Sequence, residues 1–156
     1  MFSCLTNIFK TKNVDAQIDM KIYLENITYN ETIPFIPPIT CGKVIKVYDG
    51  DTITIASKLP MNETIYRFSV RLNGIDSPEI KGGSTAESKL AKVSRDSLHT
   101  LIFGKIIELR NNKQEKYGRI LADVYLDDLH VNQWMLDKKY AIKYDGGKKN
   151  KPDNWN

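Results

Sequence analysis

A chain of 156 residues is long enough for one domain with its own core and too short for two. Its composition, 41% hydrophobic and 27% charged, excludes an intrinsically disordered protein, and no apolar run is long enough to span a bilayer. The formal net charge is +4, and because residues 1–40 hold three lysines and four acidic residues, an excess of five positive charges lies in residues 41–156. This excess is compatible with a nucleic acid partner but does not by itself indicate one.

The two cysteines, Cys4 and Cys41, are far apart and lack the spacing of metal ligands. A disulfide framework and a zinc site are therefore not expected, and a reducing compartment is compatible with the chain. The first residues lack the regions of a secretory signal, so we favour a cytoplasmic location. An acyl group on Cys4 would attach the chain to a membrane, but no second anchoring signal is evident, and an idle or buried cysteine is the simpler interpretation.

Three of the six prolines fall in residues 31–40, which predicts an extended linker, because proline lacks the N–H that a helix or central strand requires. The domain prediction follows from this position. Residues 1–40 are expected to form an N-terminal extension with its Pro-rich linker, residues 41–145 a folded domain, and residues 146–156 a Lys-rich tail.

The regular part of the chain opens with three predicted strands. Two β-branched runs, KVIKV (43–47) and TITIA (52–56), flank the turn-forming sequence YDGD (48–51), which predicts a β-hairpin. The third strand, YRFSVRLNG (66–74), alternates apolar and polar residues. This alternation predicts that Arg71 projects from the face opposite the apolar stripe.

A helix and two further strands are predicted next. Ser84 and Glu87 have the spacing of a capping box, and Gly104 is placed to end the helix. Its predicted apolar face consists of Leu90, Val93, Leu98, Leu101 and Ile102. The strands KIIELR and RILADVYL are joined by a predicted polar loop, NNKQEKYG, and a short helix runs from Val131 to about Lys139. The elements predict an α+β, mainly β, fold: a five-stranded OB-type barrel with two or three packed helices.

Two turns present acidic residues beside predicted strand ends. The first carries Asp49 and Asp51, and the second carries Asp76 and Glu79. Oxygen donors of this kind suit Ca²⁺ or Mg²⁺ rather than zinc. The simpler interpretation of D-G-D is a turn, and the EF-hand pattern is absent. The second turn is stiffened by a proline, and Arg71 lies on the strand that leads into it.

A second arginine, Arg119, follows a glycine-containing turn and precedes a strand. Alone it is best interpreted as a surface cation. Together, two arginines and an acidic metal site suit phosphodiester cleavage, because the transition state gathers negative charge that a divalent cation and guanidinium groups stabilise. A nearby carboxylate can orient or deprotonate the attacking water.

Three motifs, YDGDT, RLNGIDSPE and EKYGR, occur in this order. In order and spacing the chain resembles the staphylococcal nuclease (thermonuclease) family over about residues 42–145. The resemblance implies an OB-fold nuclease that depends on Ca²⁺, hydrolyses DNA and RNA without strong sequence specificity and leaves 3′-phosphate ends. Single strands would be the preferred substrate, and we expect a monomer with no obligate protein partner.

The resemblance also implies the metal side of the site. Asp51 and Asp76 would be the carboxylate ligands of Ca²⁺, and the backbone carbonyl of Ser77 would be a further ligand. Asp49 would be a nearby acid that does not bind the metal directly. Glu79 would contact the metal through water and would position or deprotonate the attacking water.

On the substrate side, the resemblance implies that Arg71 and Arg119 hold the scissile phosphate. Lys116 and Tyr117 would lie near the terminal phosphate of a bound nucleotide. Tyr144 matches an aromatic residue that packs on a base, but a core or surface tyrosine is an equal alternative.

The chain departs from the family pattern in several places. Ser77 replaces the usual threonine, the hairpin between Asp51 and Arg71 is longer, and the loop after Glu79 is shorter. The chain also stops at Asn156, before the family's last helix would be complete. Either the domain is less stable for it or residues 1–40 supply the replacement packing, and we favour the second alternative. The main alternative function is a non-catalytic OB-fold module that binds nucleic acid.

Overall fold

The computed structural model describes residues 20–81, 84–147, 151–152 and 155. The chain divides into two compact units, residues 1–34 and 35–156. In the first unit, residues 20–24 are helical and a 3₁₀ turn spans Tyr29–Glu31. Cys4, the candidate acylation site, lies outside the described residues. Among the helices of the described residues, none is long and apolar enough to cross a membrane.

The second unit contains a closed barrel. Its elements in chain order are β1 (Cys41–Val47), β2 (Thr52–Lys58), β3 (Ile65–Leu72), β4 (Ile75–Asp76), α1 (Thr85–Ile102), β5 (Ile106–Gln114), β6 (Ile120–Leu126), β7 (Leu129–His130), α2 (Val131–Asp137) and β8 (Ile142–Lys143). The strand order is β3-β2-β1-β5-β6-β7, and a parallel pairing of β3 with β6 closes a barrel of five strands. The mainly β OB-fold prediction is therefore confirmed.

The barrel core comes from the alternation of residues in its strands. The inward-facing side chains include Val44, Ile53, Ile55, Val70, Leu72, Ile107, Ala122 and Val124, which are at most 1% exposed. The predicted β1–β2 hairpin around residues 48–51 is confirmed, with Val47 paired to Ile53. Because β3 alternates, burying Val70 and Leu72 turns Arg71 away from this core, as predicted.

The buried face of helix α1 was predicted only in part: Leu98 and Ile102 are buried as predicted, but other positions differ. Its buried residues are Glu87, Ala91, Ser94, Leu98 and Ile102, whereas Val93 is 52% exposed. The prediction for Val93 was wrong because the face was chosen by hydrophobicity, and at 100° per residue Val93 lies on the side opposite Leu98. The Ser84 cap is confirmed, since its hydroxyl accepts a hydrogen bond from the Glu87 N–H. The Glu87 carboxylate accepts from the Glu79 N–H and from Lys151.

Strand β5 is longer than predicted. It continues to Gln114, so residues 111–114 are strand and only residues 115–119 connect it to β6. A register shift between Arg110 and Lys113 accommodates the extra residues, and Asn111 there has a positive φ of 56°. Helix α2 is shorter than predicted: it ends at Asp137, and Lys139 is left-handed with φ 59°.

A second, two-stranded sheet lies beside the barrel. Strand β4 pairs with β8 in antiparallel register, with Ile75 opposite Lys143, and the Tyr144 N–H donates to the Gly74 carbonyl. This sheet brings the chain after α2 to the strand end that carries Asp76. The predicted domain limits of 41 and 145 stay a prediction. Within the second unit, residues beyond both limits are buried, as Ile39 and Trp155 show.

Candidate active site

Three connections meet around one cavity of about 550 Å³ in the second unit. They are the β1–β2 turn, the segment that follows β4, and the β5–β6 turn. Nine of the ten predicted site residues line this cavity: Asp49, Asp51, Arg71, Asp76, Glu79, Lys116, Tyr117, Arg119 and Tyr144. The tenth, Ser77, is buried beside Asp51. The fold therefore brings together side chains that are up to 95 positions apart in sequence.

The β1–β2 turn is fixed by a close approach at Gly50. A Cβ atom at this position would lie 1.9 Å from the Ser94 hydroxyl oxygen on α1 and 2.7 Å from the Cβ of Ser77. Only glycine fits there, and small residues are needed opposite it. The packing places Asp51, which is 4% exposed, against the segment that carries Ser77. The Asp51 N–H in turn donates to the Asp49 carboxylate at 3.1 Å.

Arg71 joins the two most deeply buried acids of the cavity. Its Nη1 lies 2.5 Å from Asp51 Oδ1, and its Nη2 lies 3.2 Å from Asp76 Oδ1. The second oxygen of Asp51 accepts a hydrogen bond from the Ser77 N–H at 3.0 Å. Burial lowers the pKa of Arg71, but the charges of Asp51 and Asp76 outweigh it and hold the pKa above its usual value. Arg71 thus remains a permanent cation at this position.

One side of the cavity is lined by acidic side chains. Burial, followed by repulsion from the neighbouring carboxylate of Asp51, raises the pKa of Asp49 to about 6. The Asp51 and Asp76 carboxylates both face the Arg71 guanidinium, and the acids on this side of the cavity offer oxygen atoms as ligands. Ca²⁺ and Mg²⁺ bind such donors and keep several waters. Within the described parts of the chain, no group of three or more His, Cys, Asp or Glu side chains is placed to hold a metal ion.

The β5–β6 turn holds Arg119 through an acid that sequence reasoning missed. Glu115 Oε2 accepts from Arg119 Nε at 3.2 Å and from the Tyr117 N–H at 2.9 Å. The opposite end of Arg119 reaches the Thr52 hydroxyl, with Nη1 at 3.3 Å. Gly118, with φ 80°, permits the tight turn. The four-residue spacing of Glu115 and Arg119 across a glycine turn was the available signal.

The bond pattern at Glu115 also affects its ionisation. Burial raises the pKa of this carboxyl, but the hydrogen bonds from Arg119 and Tyr117, with the charge of Arg119, outweigh burial and leave the pKa below its usual value. Glu115 is therefore a carboxylate at neutral pH. It fixes the guanidinium of Arg119 at the edge of the cavity.

The remaining predicted residues line the open side. Glu79 is an exposed residue that follows the buried Pro78, and its backbone N–H donates to Glu87 Oε1 at 3.2 Å. Tyr117 is 73% exposed, and the Lys116 ammonium lies 4.7 Å from its ring centroid. The Tyr144 ring lies 5.8 Å from the Arg71 guanidinium carbon. Two aromatic faces and a lysine thus surround the arginines.

In a comparison with known protein families, residues 69–154 match the family described as staphylococcal nuclease homologue. This stretch is more than half of the chain. It includes Arg71, Asp76, Glu79 and Arg119, whereas Asp51 lies before it.

Several curated relatives of this chain are named as nucleases or endonucleases. An uncharacterised endonuclease of Escherichia coli is 32% identical over 113 residues, which are 69% of this chain and 66% of that protein. An uncharacterised endonuclease of Haemophilus influenzae is 32% identical over 67% of this chain and 52% of its own length. A staphylococcal-like nuclease of Arabidopsis thaliana is 33% identical over 50% of this chain and 22% of its own length. The chain spans less than two thirds of the length of these relatives. The family match covers more than half of the chain, and the closed barrel agrees with it. The chain therefore belongs to the staphylococcal nuclease homologue family.

Proposed function

We propose that this protein is a nuclease that hydrolyses the phosphodiester bonds of DNA and RNA. The observation that carries the proposal is the convergence of Arg71, Arg119 and a set of carboxylates on one cavity. Two guanidinium groups can neutralise the charge that develops on a phosphate, and a carboxylate can handle the attacking water. Relatives named as nucleases and endonucleases support the same reaction class.

We further propose that the enzyme depends on Ca²⁺. Asp51 and Asp76, with the backbone carbonyl of Ser77, would hold the ion. When bound, it would supply positive charge close to the phosphate oxygens. The buried, oxygen-rich donor set supports this choice over zinc, which prefers nitrogen and sulfur ligands.

Different side chains have different roles in the proposed in-line attack of water on phosphorus. Arg71 and Arg119 bind the scissile phosphate and stabilise its negative charge as the fifth bond to phosphorus forms. Glu79 orients the attacking water and accepts its proton. By the family resemblance, cleavage of the P–O5′ bond would leave a 3′-phosphate.

The proposed specificity is for the backbone rather than for the base. Lysines and arginines line the cavity, and they would contact phosphates, which carry no sequence information. The faces of Tyr117 and Tyr144 can stack on bases of any kind, and stacking requires unpaired bases. We therefore propose a preference for single strands of either nucleic acid, with Lys116 close to a terminal phosphate.

Cleavage assays test the proposal. Heat-denatured DNA and RNA are incubated with Ca²⁺, with Mg²⁺ or with chelator, and the parent is compared with Glu79→Gln and Arg119→Ala. Each substitution is expected to lower the rate on the order of a hundredfold or more. Glu63→Gln at an exposed site and Arg95→Ala at a half-exposed position of α1 are matched controls that should retain the parent rate.

The alternative is an OB-fold module that binds nucleic acid without cutting it. Absence of cleavage in either metal, with salt-sensitive binding of single strands retained, would favour this alternative and refute the nuclease. Calcium-dependent cleavage that both substitutions suppress would support the proposed roles.

A further inference from the structure

A buried acid on the first turn of α1 links two distant parts of the chain. Glu87 is only 1% exposed. Its Oε1 accepts a hydrogen bond from the Glu79 N–H at 3.2 Å, and its Oε2 accepts from the Lys151 ammonium at 2.9 Å. A charged carboxylate this deep in a protein requires compensation. The ammonium of Lys151 provides it, so the charge pair and the Glu79 backbone form one connected unit.

The C-terminal segment makes a second contact with the same helical turn. The Ser84 hydroxyl donates to the Trp155 carbonyl at 2.9 Å, while its oxygen accepts from the Glu87 N–H. Trp155 itself is 4% exposed. Two independent contacts, one ionic and one through a cap, therefore attach residues 151 and 155 to the start of α1.

The candidate water-activating segment, residues 79–80, is bound to the same helical turn. Besides the Glu79 N–H, the Ile80 carbonyl accepts from the Ser88 hydroxyl at 3.3 Å. Pro78 restricts the backbone on the preceding side. The position of Glu79 thus depends on a short helical turn whose buried acid is neutralised by the C-terminal segment.

We propose that Glu87 and Lys151 are positioning residues for Glu79, so that the C-terminal segment sets the turnover of the site. This inference rests on the proposed nuclease function. Reaction rates fall steeply when a reacting group is misplaced by even 1 Å. Arg71 and Arg119 are held by other partners, Asp51 and Glu115, so binding of the phosphate does not depend on the same link.

The expected signature is a change in kcat without a change in KM. Glu87→Gln and Lys151→Met are compared with the parent on denatured DNA at saturating Ca²⁺. Each should lower kcat on the order of tenfold or more, with KM within about twofold of the parent value. Lys151→Arg keeps the charge and should recover most of the lost kcat. Lys89→Met removes an exposed lysine from the same helix and should change neither constant.

Lys151→Met leaves the Glu87 charge buried and can prevent folding, so the double variant Glu87→Gln/Lys151→Met is measured alongside it. It removes both charges of the pair and should show the kcat of Glu87→Gln alone. Additive losses would mean that the two residues act separately, and this would overturn the proposal.

A second measurement does not require activity. Amide hydrogen exchange of the metal-free protein should show the Glu79 N–H protected in the parent and faster to exchange in Glu87→Gln, with core amides of β2 unchanged. Unaltered kcat and Glu79 exchange in Glu87→Gln, in a parent that cleaves, would overturn this inference alone. A parent that does not cleave would overturn the proposed function and the inference with it.

Discussion

Arg71 and Asp51 form an ion pair in which the two side chains are 11% and 6% exposed, and this pair ties β3 to the β1–β2 turn. The same guanidinium also contacts Asp76. Both acids are proposed metal ligands. Through these two ion pairs, Arg71 neutralises part of their negative charge. One cation therefore links the stability of the turn to the charge of the site.

The first prediction concerns this pair. Arg71→Met should destabilise the protein by about 3 kcal/mol or more in chelator, because it leaves two buried carboxylates without their cation. Urea unfolding measures the change. Asp51→Asn removes one of the two buried carboxylate charges that lose the Arg71 guanidinium. The double variant Arg71→Met/Asp51→Asn should therefore be more stable than Arg71→Met. An Arg71→Met midpoint equal to that of the parent would contradict the prediction.

The second prediction concerns Ca²⁺ and is independent of catalysis. A ligand that binds only the folded state stabilises it, by about 2.7 kcal/mol at a concentration of 100 Kd. Thermal unfolding should therefore shift to higher Tm as Ca²⁺ is added. Asp51→Asn should abolish the shift because it removes a proposed ligand, whereas Asp96→Asn, at an exposed position of α1, should retain it. No shift in the parent would refute the proposed calcium site.

The barrel could be predicted from sequence because its signals are local. Alternation in strands such as β3 and the D-G turn at 49–50 each depend on a few neighbouring residues. The buried face of α1 was only partly predicted, since hydrophobicity selected Val93 while the fold buries Glu87 and Ser94. Their burial depends on partners in other segments, Lys151 in one case and the close approach of Gly50 in the other.

The candidate site was predicted as a set of residues. Three motifs carry nine of the ten, and only the family resemblance implied that they lie together. Glu115 lies inside the third motif and was passed over, because its four-residue spacing from Arg119 does not by itself show its bonds to Arg119 and Tyr117. Periodicity cannot show contacts of this kind. The link from Lys151 to Glu87 spans 64 positions and has no sequence signal of its own.

The third prediction concerns the packing of the first turn. Gly50→Ala should destabilise the protein by about 1–3 kcal/mol, because the added methyl group meets Ser94 and Ser77. Chemical unfolding measures the loss. Ser94→Ala removes the nearest atom and should recover part of it in the double variant, though the Cβ atoms of both serines remain. A double variant no more stable than Gly50→Ala would show that the turn is strained for another reason.

The fourth prediction follows from the lowered pKa of Glu115. The pKa of Glu115 is lower in the folded state than in the unfolded state, so between these two pKa values the unfolded state binds more protons. The stability that this carboxylate contributes is therefore fully present at neutral pH. It should be lost as the pH falls below about 4.5, the ordinary value for a glutamate, and through the folded pKa. Unfolding of the parent and of Glu115→Gln from pH 7 to pH 3 measures the loss.

Glu115→Gln should therefore be less stable than the parent at pH 7 and should approach it at low pH. Glu63→Gln, whose side chain is 96% exposed, is the matched control and should show little difference at any pH. A gap between parent and Glu115→Gln that stays constant down to pH 3 would mean that the charge of Glu115 does not hold Arg119. The acid would then contribute to the turn through its shape and hydrogen bonds alone, and Arg119 would depend on Thr52 for its orientation.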